Sequence, residues 1–460
     1  MNFKKRGAAL AVSAAFSTPF AASADSGNVT IYGWINENVE FVETDDATSA
    51  ASLPTNWALR SGGGASAGGQ SPVGINRDFR SQFGGNASEI GFRGTEDIGN
   101  GIKVNFQCNN GFLPDGEFSN QFNGSQGIFG WCGRNSKIGI AGPWGEIMYS
   151  SWLTPYIEMN EGLVDPFYDA DASGSRTLFG GFGHDNGLSY YIPGLQGLHQ
   201  DAFQFNRRQE GFVQYWTPNW NGFTARVGYT PNAAKDRFGD SGLSDFDPYI
   251  FSLAANYQWG PGWIGFGYEN HNDWSADLML PAAGGGTAVG GTDGSSDEAW
   301  TIHGGWTFDM GSGSSLKLAA IYENTNWEFD RNSALGGFGL GTAIPFEELE
   351  KDVWAASAQY TTGQWRIMGH YQETGDLDCD DNLDFSGVGA GTGSCEDDET
   401  GAQAWTVGAG YDLSKRTALY AAWTHIDNDD NGAYDIVISG PGTSIGGEAD
   451  SMQLRIHHAF

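Results

Sequence analysis

The chain has no run of apolar residues long enough to cross a membrane as a helix. Such a span needs about 20, and the apolar run from Ala8 to Phe16 falls well short. Basic residues are scarce, with 23 Lys and Arg against 56 Asp and Glu, a formal net charge of −33. That sign excludes nucleic acid as a partner, because phosphate contacts need Lys and Arg. Only four cysteines occur, Cys108, Cys132, Cys379 and Cys395. None forms a Cys-x-x-Cys, and no nearby His completes a metal site, so each pair reads as a disulfide closing its own loop. The eight histidines show no metal-ligand spacing. Gly64-Ala65-Ser66-Ala67-Gly68 fits Gly-x-Ser-x-Gly but lies in a Gly/Ser/Ala loop, away from any strand–turn–helix elbow. No nucleophile, base and orienting acid fall together, so the sequence reads as no enzyme.

What is abundant is glycine (70) and aromatic residues (17 Trp, 17 Tyr, 29 Phe). Lys4, Lys5 and Arg6 precede the short apolar run, and Ala22-Ser23-Ala24 follows it, which marks residues 1–24 as a secretory signal peptide. Those 24 residues hold three of the 23 bases and no acid, so the remainder carries 20 bases against 56 acids. The chain ends Ser451-Met452-Gln453-Leu454-Arg455-Ile456-His457-His458-Ala459-Phe460. Strict alternation there makes a strand with one apolar and one polar face. By the same parity His457 and His458 point to opposite sides. Val29 to Val42 reads likewise: Ile31, Ile35, Val39 and Phe41 on one face, Trp34, Asn36, Asn38 and Glu40 on the other, with Glu37 the exception.

Between these ends, strands come in pairs joined by short turns: Gly99-Asn100-Gly101, Pro143-Trp144-Gly145, Pro218 to Gly222, Gly260-Pro261-Gly262, Gly311-Ser312-Gly313, Thr362-Gly363 and Leu413 to Arg416. Such residues supply positive φ and preset bends. Long polar loops separate the pairs. The expected fold is therefore all-β, a sixteen-stranded antiparallel transmembrane β-barrel over 25–460 with short periplasmic turns and long extracellular loops. A further strand at 187–193 would make eighteen, but no room for a long loop remains between Asn206 and Arg208.

Ser88 to Gly101, Arg134 to Ile140, Arg208 to Gly222 and the closing His457-His458-Ala459-Phe460 resemble the trimeric general porins of Gram-negative outer membranes. The resemblance spans the whole chain after the signal. It implies a homotrimer in the outer membrane, among outer-membrane lipid and lipopolysaccharide, that passes small hydrophilic solutes and cations by passive diffusion. It implies that Phe460 belongs to a carboxyl-terminal assembly signal, and that the third long loop, within 153–206, folds inward to form the constriction. Acids on that loop would then be Glu158, Glu161, Asp165, Asp169 and Asp171. The family's basic ladder on the opposite wall is largely missing: Trp34, Glu89 and Ser151 (or Ser150) stand where it has bases, and Arg208 alone matches. Parity makes Glu89 and Arg93 luminal.

Fixed acids in a narrow aqueous constriction concentrate cations, so one expectation is cation preference. The other is that the acid excess sits on outer loops and leaves the constriction untouched. Asp376, Asp378, Asp380 and Asp384 crowd one loop and are a weak Ca²⁺ candidate without EF-hand spacing; no other cofactor is indicated. Trp300, Trp306, Trp354, Trp405 and Trp423 read as barrel girdle, whereas Trp34 and Trp152 are candidates for solute stacking. Two other functions fit the same barrel: a substrate-selective channel, or a structural or adhesive protein with a plugged lumen.

Overall fold

The computed structural model describes residues 29–49, 76–85, 88–112, 131–167, 178–180, 205, 207–231, 249–272, 295–329, 348–379, 398–432, 434 and 443–460. Its strands are β1 (Val29–Asp45), β2 (Arg77–Gly85), β3 (Glu89–Gly99), β4 (Ile102–Gly111), β5 (Ser136–Gly142), β6 (Gly145–Leu153), β7 (Arg208–Trp216), β8 (Phe223–Pro231) and β9 (Tyr249–Trp259). They continue as β10 (Gly262–Asn272), β11 (Ser295–Gly311), β12 (Ser314–Phe329), β13 (Glu348–Thr362), β14 (Trp365–Thr374), β15 (Asp378–Cys379), β16 (Ala402–Asp412), β17 (Thr417–Asn428) and β18 (Glu448–Ala459). One described helix, α1 (Pro155–Val164), follows β6.

A single antiparallel sheet holds all eighteen segments and closes where β18 pairs with β1, from Trp34 opposite Ala459 to Asp45 opposite Glu448. Two segments are not separate staves. β2 and β3 lie end to end against β1, β2 along Glu37–Thr44 and β3 along Val29–Trp34. β14 and β15 likewise share β13. The barrel therefore has sixteen staves, as the alternation and turn chemistry predict. The extra strand considered at 187–193 lies outside the described residues. A closed ladder leaves no unpaired edge, which hydrocarbon requires.

The short reversals adopt the backbone their residues favour. Asn100 takes φ 54° between Gly99 and Gly101, and Ser312 takes φ 53° between Gly311 and Gly313, all four glycines also at positive φ. Asp97 and Asp309 each accept the amide hydrogen two residues on, at 2.8 and 2.9 Å, which stiffens the turn. At Gly222, φ is 98° and a Cβ would stand 2.1 Å from the Gln258 carbonyl oxygen, so no side chain is tolerated there.

The alternation that builds β18 also sorts its faces. Met452, Leu454 and Ile456 are exposed on the outer wall, while Ser451, Gln453 and Arg455 are buried inside. His457 turns inward to Asn36 (2.6 Å) and His458 outward to Thr417 (2.9 Å). Phe460 extends the ladder by exchanging backbone hydrogen bonds with Gly33 at 2.9 and 3.3 Å. Outward aromatics form two levels, Trp259, Trp306 and Trp365 near the short turns and Trp300, Trp354, Trp405 and Trp423 near the long loops. These are the interfacial girdles of a barrel in a bilayer.

Just beyond the second girdle the outer wall turns acidic. Tyr268 donates to Glu298 (2.7 Å), Tyr322 to Asp352 (2.6 Å), Tyr371 to Glu373 (2.8 Å) and Trp423 to Asp450 (2.9 Å). Charge at this depth is inexpensive, in contrast to the membrane midplane. Part of the large acid excess thus sits on the outer rim.

Cys108 and Cys132 are disulfide-bonded across 24 residues; Cys379 ends β15, and Cys395 lies outside the described residues. A cross-link of that span stabilises a fold by about 2–4 kcal/mol, chiefly by restricting the unfolded chain. Cys108→Ser is therefore expected to lower the thermal unfolding midpoint by several degrees in calorimetry. A midpoint equal to that of the parent protein would show that the loop base is held without the bond.

Candidate functional site

The connection after β6 enters the barrel. Thr154 precedes Pro155, whose fixed φ suits the first helical position, and Glu158 donates its amide hydrogen to the Thr154 carbonyl at 3.1 Å. The helix stops at Val164, just before Asp165-Pro166, where the residue ahead of proline disfavours helical ψ. Asp165 then caps the bend by accepting the Phe167 amide hydrogen at 2.8 Å.

Several staves hold this segment against the inner wall. The Tyr156 amide donates to Ser252 of β9 (3.0 Å), and Asn256 of β9 donates to the Met159 carbonyl (2.9 Å). Glu323 of β12 accepts from the Tyr156 hydroxyl (2.5 Å) and from the Gly180 amide (2.6 Å), so one carboxylate ties both limbs of the loop. Lys351 of β13 donates to the Leu178 carbonyl (2.6 Å), and Ser357 donates to the Val164 carbonyl (2.5 Å). Phe167 is fully buried in a cluster with Met368, Ala418, Tyr420 and Ala422 of β14 and β17. Gly408 of β16 leaves the space, since a Cβ there would meet the Phe167 ring at 2.9 Å. The described parts of this segment, 155–167 and 178–180, thus line the inner wall from β9 to β17.

Several solvent-touched charges of the inner wall stand in pairs. Arg134 meets Glu89 at 2.7 Å, and Asn109 donates to the other Glu89 oxygen at 2.5 Å. Lys137 of β5 meets Glu146 of β6 at 2.8 Å, and Arg226 of β8 meets Glu158 of α1 at 2.6 Å. Arg366 meets Asp412 at 2.5 Å. The Trp152 indole also donates to Glu158 at 2.8 Å. Trp152 and Trp216 lie edge to face at 5.5 Å, with Lys137 and Arg226 over the Trp216 ring at 4.6 and 3.9 Å.

The residues anticipated for the constriction are therefore distributed as follows. Glu89 is inside, but an arginine balances it, and Glu158 is balanced likewise. Asp165 is buried as a cap. Glu161 is on α1, with its side chain outside the described residues, as are Asp169 and Asp171 altogether. Arg93 is exposed, its guanidinium 4.7 Å from the Tyr32 ring. Trp34 is half-buried on the inner face of β1. Arg208 donates to Asn135 at 2.9 Å. Along β6 the buried side is that of Met148, Ser150 and Trp152, which corrects the choice of Ser151: Ser150 turns inward, where Gln214 reaches it at 3.5 Å.

The expectation of a missing basic ladder also needs correction. The positions of Trp34, Glu89 and Ser150 carry no base, but Arg134 ahead of β5 and Lys137, Arg226, Arg366 and the buried Lys351 and Arg455 on other staves supply inward bases. Alternation held the signal: Thr224, Arg226 and Gly228 oppose the outward Ala225, Val227 and Tyr229. Of the acidic loop, Asp376 caps the backbone at Thr400 (2.8 Å) and Gly401 (3.1 Å), and Asp378 lies in β15. Asp380 and Asp384 lie outside the described residues. Among the described residues no group of His, Cys, Asp or Glu is arranged to hold a metal. At the same mouth, partial burial, then Asp376, Asp427, Asp430 and Glu373, hold the Asp429 carboxyl above its ordinary pKa.

A sequence profile of the Gram-negative porin family matches residues 8–431. Outer membrane porin protein 32 of Delftia acidovorans is 24% identical over 99% of this chain and 100% of its own. An outer membrane porin protein of Bordetella pertussis is 25% identical over 91% of this chain and 94% of its own. Among solved structures, an anion-selective porin from Comamonas acidovorans shares the fold with a TM-score of 0.58 at 20% identity, covering 94% of this chain and 99% of that one.

Proposed function

Because this chain belongs to the Gram-negative porin family of the outer membrane, we propose that its barrel is a narrow, water-filled channel for passive diffusion of small hydrophilic solutes and ions. The observation that carries this reading is the inward segment, pinned across β9–β17, facing a wall of solvent-touched ion pairs on β3–β8. The barrel works as a homotrimer among lipid and lipopolysaccharide, in keeping with its family.

Ion preference is weakly cationic, and its source is the mouths. Charges paired at 2.6–2.8 Å leave little net field at the constriction. The acids of the rim and of the 376–430 region remain to attract cations at the entrance. The same fold serves a protein described as anion-selective, so the sign of selectivity lies in side chains and not in the barrel.

Reversal potentials of purified protein in planar bilayers under a KCl gradient test this. A modest cation-selective potential is expected at about 10 mM mean salt, fading toward zero near 1 M, where the Debye length falls to roughly 3 Å. A large cation potential that persists at 1 M would place unpaired acids at the constriction, and an anion potential would refute the cationic reading. Absence of any conductance would remove the channel itself.

A further inference from the structure

The charges at the root of the inward loop form a unit of two ion pairs around one indole. Lys137 and Arg226 both contact the Trp216 ring, and each is held by its own carboxylate, Glu146 and Glu158. Trp152 locks Glu158 from the side. These charged side chains retain 11–25% exposure, whereas Glu323 and Lys351, which also line the inner wall, are sealed at 1%. The unit therefore touches the water path.

We propose that this unit is a relay site selective for zwitterionic solutes, small molecules that carry an ammonium and a carboxylate a few ångströms apart. The inference rests on the channel reading above. Its physical basis is what each solute must break. A net anion that takes Lys137 or Arg226 leaves Glu146 or Glu158 unmatched in a confined site, and a net cation leaves the base unmatched; either is costly. A neutral polyol competes with formed ion pairs and gains no charge contact. A zwitterion replaces both partners of a pair at once, its carboxylate taking the base and its ammonium the freed acid. The Trp216 ring already accepts cations at 3.9 and 4.6 Å, so the solute's ammonium finds a second favourable surface during the exchange.

Swelling of proteoliposomes containing the full protein tests the proposal, with L-glutamine as the zwitterion and mannitol as an uncharged probe of similar size. Glutamine is expected to enter about two- to fivefold faster than mannitol, the range set by one partly screened charge pair. The Lys137→Gln/Arg226→Gln double variant should bring that ratio to about one. The pair-inverted Arg226→Glu/Glu158→Arg variant should keep it above one, since it preserves the partners. The heat-induced shift in electrophoretic mobility verifies that each variant is a folded barrel. Equal entry of the two probes in the parent protein overturns the proposal and leaves the channel standing. So does a ratio unchanged after both cations are removed. Failure of mannitol and glutamine alike to enter overturns the channel reading, and the relay site with it.

Discussion

A Glu323→Ala barrel is expected to pass more current per open channel, with more noise, and to unfold earlier. Glu323 is the one side chain that accepts from both limbs of the inward loop among the described residues, the Tyr156 hydroxyl at 2.5 Å and the Gly180 amide at 2.6 Å. It also balances the buried Lys351 on the neighbouring stave. Alanine removes two hydrogen bonds and leaves a buried ammonium without its counter-charge, a change that costs about 3–5 kcal/mol. The loop then keeps its ties to Ser252, Asn256 and Ser357, so it loosens and does not leave the lumen. Single-channel recording and calorimetry read the two effects separately. A Glu323→Leu/Lys351→Met variant should recover much of the stability, because it deletes both charges together, yet it should stay noisy, because neither loop tie returns. Parent-like conductance in Glu323→Ala would mean that the loop is positioned without this carboxylate.

The barrel was legible in the sequence because its cause is local. Polar and apolar residues alternate within single strands, as in Ser451-Met452-Gln453-Leu454-Arg455-Ile456, and the short turns carry glycine, asparagine or serine where the backbone takes positive φ. Even the strand count survived the breaks between β2 and β3 and between β14 and β15, since pairing depends on the neighbour and not on continuity. The site was less legible because its properties are pairwise. Parity placed Glu89 inside, but its charge is cancelled by Arg134, a residue 45 positions away along the chain. Glu158 reads as a free acid until Arg226 of β8 and the Trp152 indole are seen to share it. Nothing in the spacing of Glu323 and Lys351 points to Tyr156, Leu178 or Gly180, because those contacts join the wall to a loop more than 140 residues away along the chain. Ser150 faces in because the alternation of Met148, Ser150 and Trp152 runs unbroken along β6, while the register shift beside it is taken up by β7.

Phe167→Ala should release the far end of the same loop. Its ring is fully buried in a cluster with Met368, Ala418, Tyr420 and Ala422 of β14 and β17. Truncating a buried phenylalanine costs about 3–5 kcal/mol in lost transfer and cavity energy. The strand ladder does not depend on this ring, so the cost falls on docking of the loop more than on the barrel. The barrel's own unfolding should therefore shift little, while conductance rises and the loop becomes a target for limited proteolysis near 165–180. Filling the seat from the other side is a harsher change. A side chain at Gly408 meets the Phe167 ring at 2.9 Å but also the Ala421 carbonyl oxygen at 2.6 Å, so Gly408→Val strains the ladder as well as the dock. The pair of variants separates the two roles: Phe167→Ala should change current with little change in barrel stability, and Gly408→Val should change both. If Phe167→Ala leaves both current and protease resistance at parent values, the hydrogen bonds from β9, β12 and β13 alone fix the constriction, and the aromatic dock only fills space.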